Sequence, residues 1–292
     1  GVPTFYTRLL DHPEFDKDVS KNIRLFISGS APLSAETHKM FKKRTGHSIL
    51  ERYGMTETNM STSNPYRGKI VFRVDGLRKV YTGCWNSSDK RLIRNLEFAD
   101  NVVFQSKFSK ETFDDLGVQV PSSQLVINNG ADEEVFFPEK ERKTPIGKDL
   151  VLISNSWSTN SFKGFRDIAT ISDHEGTRVL HIGRWPEGVY RGNVTQLGVM
   201  DASEIASVLR QGDFFFFPSK NEACPNVLFE ALACALPAIY LNSGGNPEIC
   251  GYGKFGIPFE GNVFDNGQCH QLISQAREKH DEIRGNIIDD FS

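Results

Sequence analysis

Phe214-Phe215-Phe216-Phe217 leads into Pro218-Ser219-Lys220-Asn221-Glu222-Ala223-Cys224-Pro225-Asn226-Val227-Leu228-Phe229-Glu230, and this passage decides the fold. A short, wholly apolar run closed by proline reads as a strand buried on both faces. A polar loop follows, and a helix is expected from Asn226 to Ala235, with Asn226 as its cap. A buried strand, a loop and a capped helix make one unit of a parallel α/β sheet. In such sheets ligands gather at the carboxyl ends of the strands.

The same rhythm extends in both directions. Upstream lie a strand Leu150–Ser154, a helix Gly164–Ile171, a strand Arg178–Ile182 and a helix Ala202–Arg210. Downstream come a strand Ala238–Leu241 and a last helix from about Gly267 to Ile283. The alternation predicts a Rossmann-like, doubly wound parallel sheet over residues 141–292. Before it, Pro138–Gly147 reads as a charged linker, and residues 69–140 as a partial α/β domain. That domain has strands Ile70–Val74, Asn101–Gln105 and Leu125–Ile127, and a helix capped by Ser109 and running to about Leu116.

Residues 1–68 differ in kind. A helix Pro3–Leu10, a strand Ile23–Ser28, a helix capped by Ser34 and ended by Gly46, and a strand His47–Glu51 precede a polar loop, Thr56–Asn64. This piece is too small to cover both faces of a sheet and is expected to be marginal alone.

At 292 residues, 38% hydrophobic and 24% charged, the chain suits two soluble domains. A net charge of -3 gives nucleic acid no electrostatic reason to bind. The sequence shows neither a membrane span nor a signal peptide. Five cysteines without a C-x-x-C pair, and seven scattered histidines, predict neither a disulfide framework nor a metal site. A cytoplasmic protein is expected, with peripheral membrane association as an added expectation.

The chemistry concentrates in the opening passage. Glu222 stands in the loop after the strand, and Glu230, eight residues on, lies about one turn inside the helix. Free N–H groups at the helix start, around Val227, would attract a diphosphate. A carboxylate one turn down can accept two hydroxyl hydrogen bonds, as a ribose offers, while the loop carboxylate would stand over a sugar. This spacing resembles the E-x7-E motif of family 4 glycosyltransferases of the GT-B fold. Gly244-Gly245-Asn246-Pro247-Glu248 strengthens the resemblance, which extends over about Lys69–Ser292 through Arg73-Val74-Asp75-Gly76, Ala99–Ser109 and Asn129–Pro138.

The resemblance implies that Glu230 binds the ribose and Glu222 the donor sugar, and that the backbone from Ala223 through Cys224, Pro225 and Asn226 to Val227 holds the diphosphate. It also implies that Gly244 and Gly245 let the backbone approach the donor, and that Lys163 neutralises the departing diphosphate. The family usually places an arginine five residues before that lysine; here the position is Ser158. The implied reaction is retaining transfer from a UDP-, GDP- or ADP-sugar to an unknown acceptor, without a cofactor. No D-x-D motif in this half would hold a metal between phosphates. The N-terminal domain of such an enzyme is expected to be incomplete, which leaves turnover open.

Residues 1–66 carry a second resemblance. Gly29-Ser30-Ala31-Pro32-Leu33 and Glu51-Arg52-Tyr53-Gly54-Met55-Thr56-Glu57-Thr58 are similar to adenylate-forming acyl-CoA synthetases, malonyl-CoA synthetases in particular. By that resemblance Ser30, Ala31 and Pro32 line an adenine pocket beside Tyr53. Thr56 would contact phosphate and Glu57 would hold Mg²⁺, so ATP and Mg²⁺ are implied if the segment works. It lacks the phosphate loop, the Thr-Gly-Asp and the lid domain that adenylation needs, and is expected to be an inactive remnant. A fused gene, an assembly artefact and a deliberate chimera each fit two such resemblances on one chain.

Overall fold

The computed structural model describes residues 3–23, 26–28, 34–53, 62–63, 71–139, 146–261 and 266–291. The chain forms two compact units, Gly1–Gln105 with Lys110–Ile127, and Ser106–Ser109 with Asn128–Ser292.

The first unit holds a six-stranded sheet in chain order: β1 (Phe26–Ser28), β2 (Ile49–Tyr53), β3 (Thr62–Ser63), β4 (Val71–Val74), β5 (Asn101–Phe104) and β6 (Gln124–Val126). The pairs β1–β2, β4–β5 and β5–β6 are parallel, whereas β3 runs antiparallel to both β2 and β4. The first residues therefore do not stand alone. Short β3 satisfies the edge of β2 and carries the sheet onward.

Two separate hydrophobic clusters flank that seam. Tyr6, Leu10, Phe15, Phe26, Phe41 and Ile49 form one. Phe72, Val74, Leu77, Leu96, Val102, Phe104 and Phe113 form the other. Helix Ala35–Thr45 begins and ends where its sequence directs. Ser34 Oγ accepts the Thr37 N–H at 3.0 Å, and Gly46 takes a φ of 79°.

Two details of this region differ from the sequence reading. Ser106, not Ser109, caps the helix Lys107–Asp115: its Oγ accepts the Ser109 N–H at 3.0 Å, inside the first turn. A helix Ser87–Leu96 also fills the span between β4 and β5. Its residues are mostly polar, and the apolar ones, Leu92, Ile93 and Leu96, are few although they share one face against the second cluster. Its cap, Asn86, accepts the N–H groups of Ser88 and Asp89.

The second unit is a fully parallel sheet of β7 (Leu150–Ser156), β8 (Thr177–Gly183), β9 (Thr195–Gly198), β10 (Phe214–Phe217), β11 (Ala238–Leu241) and β12 (Gly256–Phe259), in the order β12-β11-β10-β7-β8-β9. This is the doubly wound order, and its direction reverses between β7 and β10, where the crevice opens. The four β10 phenylalanines are at most 2% exposed and anchor one continuous core. Edge strands β9 and β12 escape a hydrophobic-pattern reading: β9 is largely exposed and β12 contains Pro258. The closing helix runs from Asn266 to Phe291, past the expected Ile283.

Among the described residues, no helix is long and apolar enough to cross a membrane, and no cluster of three or more His, Cys, Asp or Glu could hold a metal ion. Cys84 is exposed, the other four cysteines are buried, and none of the five is in a disulfide.

Candidate functional site

Three loops meet at the switch point of the second unit: those after β7, β10 and β11. The β7 loop runs from Trp157 through a single 3-10 turn, Ser161–Lys163, before helix Phe165–Ser172. Gly164 joins the two with a φ of +70°, and a Cβ there would lie 2.7 Å from Pro218 of the β10 loop. The Lys220 N–H donates to the Phe162 carbonyl at 2.9 Å, which ties the two loops together.

That contact sets the charged pair. Lys163 Nζ donates to Glu222 Oε1, with side-chain exposures of 23% and 17%. The structure thus brings together the lysine and the loop glutamate selected from the sequence, as an ion pair beyond the carboxyl ends of β7 and β10.

The β11 loop supports the Glu222 segment from behind. Asn221 adopts a left-handed φ of 56°; its N–H donates to Ser243 Oγ at 3.0 Å, and the Ser243 hydroxyl donates back to Asn221 Oδ1 at 3.2 Å. The Gly245 N–H donates to the Glu222 carbonyl at 2.7 Å. A Cβ on Gly244 would lie 2.5 Å from that carbonyl oxygen, and one on Gly245 would lie 2.2 Å from the Ala223 oxygen. Both glycines are therefore required by loop-on-loop packing. Asn246, fully buried, donates from Nδ2 to the carbonyls of Ser219 (3.0 Å) and Leu241 (3.1 Å), joining the two strand ends.

Helix Asn226–Ala233 starts differently from expectation. Pro225 is the N-cap and supplies no side-chain cap, and Asn226 is the first helical residue. Its Oδ1 is engaged instead by Asn129 Nδ2 at 2.6 Å, and the same Nδ2 donates to the Cys224 carbonyl at 3.1 Å. Asn226 is thus tied to Asn129, which also holds the Cys224 carbonyl, rather than acting as a cap. Among the described residues, the N–H groups of Asn226 and Val227 have no hydrogen-bond partner, as expected for a first helical turn.

Glu230 lies in the second turn, partly buried. Its carboxyl has no hydrogen-bond or ion-pair partner among the described residues, and burial pushes its pKa above the usual carboxylate range. Ser158 is exposed and shapes its own loop: its carbonyl accepts the Ser156 hydroxyl at 2.6 Å and its Oγ accepts the Asn160 N–H at 3.2 Å. Ser30, Ala31, Pro32, Thr56 and Glu57 lie outside the described residues, and Tyr53 ends β2.

Residues 165–277 match the family model for glycosyl transferases group 1. Residues 1–81 match that for AMP-binding enzymes. Malonate–CoA ligase of Arabidopsis thaliana is 45% identical over 76 residues, which are 23% of this chain and 12% of the ligase. Human mitochondrial malonate–CoA ligase is 41% identical over 76 residues, 22% of this chain and 13% of that protein. The chain thus spans only a small part of the curated relatives it matches.

Among solved structures, sucrose-phosphate synthase of Thermosynechococcus elongatus matches with a TM-score of 0.58 at 16% identity, covering 99% of this chain and 74% of that one. Anabaena HepE, solved in complex with UDP-glucose, matches with a TM-score of 0.60 at 14% identity, covering 97% and 75%. The fold is that of GT-B glycosyltransferases.

The glutamates, Lys163 and the glycine pair were legible because their spacing is local. Asn129, Ser243 and Asn246 were not singled out. Asn246 falls in the Gly244–Glu248 stretch and Asn129 opens the Asn129–Pro138 segment, but nothing in their local spacing gives either side chain a role.

Proposed function

We propose that the second unit binds a nucleotide-diphosphate sugar and that the protein is a retaining glycosyltransferase. The observation that carries this reading is the Glu230 carboxyl, partly buried, raised in pKa and unpartnered among the described residues, one turn below the free N–H groups of Asn226 and Val227. A desolvated acceptor without a donor is costly, and two ribose hydroxyls would meet that need. The diphosphate lies at the helix N-terminus, where the backbone dipoles favour an anion.

Glu222 and Lys163 face the sugar end. In the free protein each holds the other. With donor bound, Lys163 serves the leaving diphosphate, where an oxocarbenium-like transition state needs charge stabilisation most. The group 1 match and the UDP-glucose complex of HepE support this reading. We place the protein in the cytoplasm.

The test is titration with UDP-, GDP- and ADP-sugars. One of them should bind, and Glu230→Ala should weaken it at least tenfold. Binding of none, or binding unchanged in Glu230→Ala, overturns the reading.

A second reading, an acyl-CoA synthetase remnant, is favoured by the 45% identity over 76 residues. ATP- and malonate-dependent pyrophosphate release measures it, and none is expected. Release above background would restore adenylation as an activity.

A further inference from the structure

Position 158, where the resembling enzymes carry a cation, is a serine, which leaves Lys163 alone of that basic pair. We propose that Arg184 supplies the missing positive charge to the donor's diphosphate. The inference rests on the nucleotide-sugar reading above and assigns one more residue to it.

Arg184 is far from Ser158 in sequence but leaves the sheet beside it. Strands β7 and β8 are parallel neighbours in a register that sets Ser156 opposite Gly183, so the chains emerge side by side at Trp157 and Arg184. Gly183 permits this approach: its φ is +98°, and a Cβ there would stand 2.2 Å from the Ser156 carbonyl oxygen. The Arg184 N–H then donates to that same oxygen at 3.0 Å.

Its carbonyl is fixed as well. It accepts from His181 Nε2 at 3.1 Å, and this makes Nε2 the protonated nitrogen. His181 Nδ1 must then accept from the Ser154 hydroxyl, 2.8 Å away. Both are buried, with His181 and Ser154 at most 1% exposed. The backbone of an exposed arginine is therefore held at both its donor and its acceptor by groups inside the sheet.

The side chain is held too. The guanidinium carbon sits 4.6 Å from the centroid of the Trp157 ring, and the indole is 58% exposed. Stacking on an aromatic face leaves the in-plane N–H donors of a guanidinium available. Among the described residues, this guanidinium has no carboxylate partner and no hydrogen bond. An unpaired guanidinium, pre-ordered at the carboxyl edge of the sheet and stacked on the residue before Ser158, suits phosphate oxygens, which it can take two at a time.

The experiment compares the wild type with Arg184→Gln, Arg184→Lys and Trp157→Ala by calorimetry. The ligands are whichever of UDP, GDP and ADP binds tightest, the matching monophosphate, and the nucleoside. Arg184→Gln should weaken the diphosphate about 10- to 100-fold, as expected for loss of a charge-assisted contact. The nucleoside should change less than twofold, and the apparent affinity of the diphosphate should depend less on salt. Arg184→Lys should recover part of the loss, and Trp157→Ala should lose several-fold. An unfolding temperature for Arg184→Gln within a degree or two of wild type would show that the site is intact.

Equal diphosphate affinity in Arg184→Gln overturns the assignment. A loss shared equally by the nucleoside also overturns it, because it marks a base contact. If the wild type binds none of the three diphosphates, the nucleotide-sugar reading itself fails and this inference falls with it.

Discussion

Gly244→Ala isolates the mechanical support of Glu222. Two costs follow from its geometry. A left-handed φ of +65° is disfavoured for alanine by about 1–2 kcal/mol. The new Cβ would also stand 2.5 Å from the Glu222 carbonyl oxygen and 2.7 Å from its nitrogen. Ordinary contact begins at roughly 3.4 Å, so the Glu222 segment must retreat by about 0.7–0.9 Å to remove the overlap. That retreat strains the 2.7 Å bond from the Gly245 N–H to the Glu222 carbonyl, worth about 1 kcal/mol.

The total loss is about 2–4 kcal/mol. Gly261→Ala provides the reference: its φ is +70°, and among the described residues nothing lies within 4 Å of a Cβ there, so it suffers only the conformational term. Gly244→Ala should therefore unfold about 2–8 °C below Gly261→Ala, at roughly 2–4 °C per kcal/mol for a domain of this size. Because a misplacement near 1 Å can cost about 100-fold in rate, sugar transfer should fall about 10- to 100-fold. Affinity for the free nucleoside diphosphate should change less, since Glu230 sits on a separate helix. Differential scanning calorimetry and transfer kinetics on both variants supply the numbers. Equal unfolding temperatures for the two variants would refute the packing argument.

Four further outcomes follow from the same geometry. Because burial raises the Glu230 pKa, the folded protein keeps a proton that the unfolded chain has released between the ordinary carboxylate value and the raised one. Stability therefore falls as pH rises through that window, and Glu230→Gln should flatten the fall in pH-dependent denaturant unfolding. Burial lowers the His181 pKa, so its contribution is present above about pH 6.5 and lost as pH falls towards the folded value; His181→Gln should remove this dependence in the same assay. Asn246→Ala deletes two buried hydrogen bonds and should destabilise by about 2–4 kcal/mol, read from the urea midpoint at unchanged slope. Phe41→Ala, in a fully buried site of the N-terminal cluster, should destabilise that cluster by about 3–5 kcal/mol while leaving donor affinity unchanged, because the residues proposed to hold the donor belong to the other unit.

The parallel sheet of the second unit could be read from its residues because each strand-loop-helix unit announces itself locally. Four phenylalanines before a proline admit little besides a buried strand. The helix start was harder. Asn226 has the chemistry of a cap, but Asn129, remote in sequence, claims its side chain, and Pro225 takes the cap position. Gly244 and Gly245 read as close-approach positions, yet what approaches them is the backbone of Glu222 and Ala223, a pairing that only the fold reveals. Arg184 illustrates the limit more sharply. Its relation to Ser158 arises from the β7–β8 register and a stacking contact, neither of which leaves a trace in local spacing. In the first unit, β3 is two residues long and joins two clusters through antiparallel pairing, against the parallel rhythm around it.

A crystal structure of the protein with UDP or UDP-glucose tests the central claim most directly. Ribose hydroxyls should lie within hydrogen-bond distance of the Glu230 carboxylate, with the diphosphate at the N–H groups of Asn226 and Val227. A nucleotide bound elsewhere, with Glu230 still unpartnered, would contradict it.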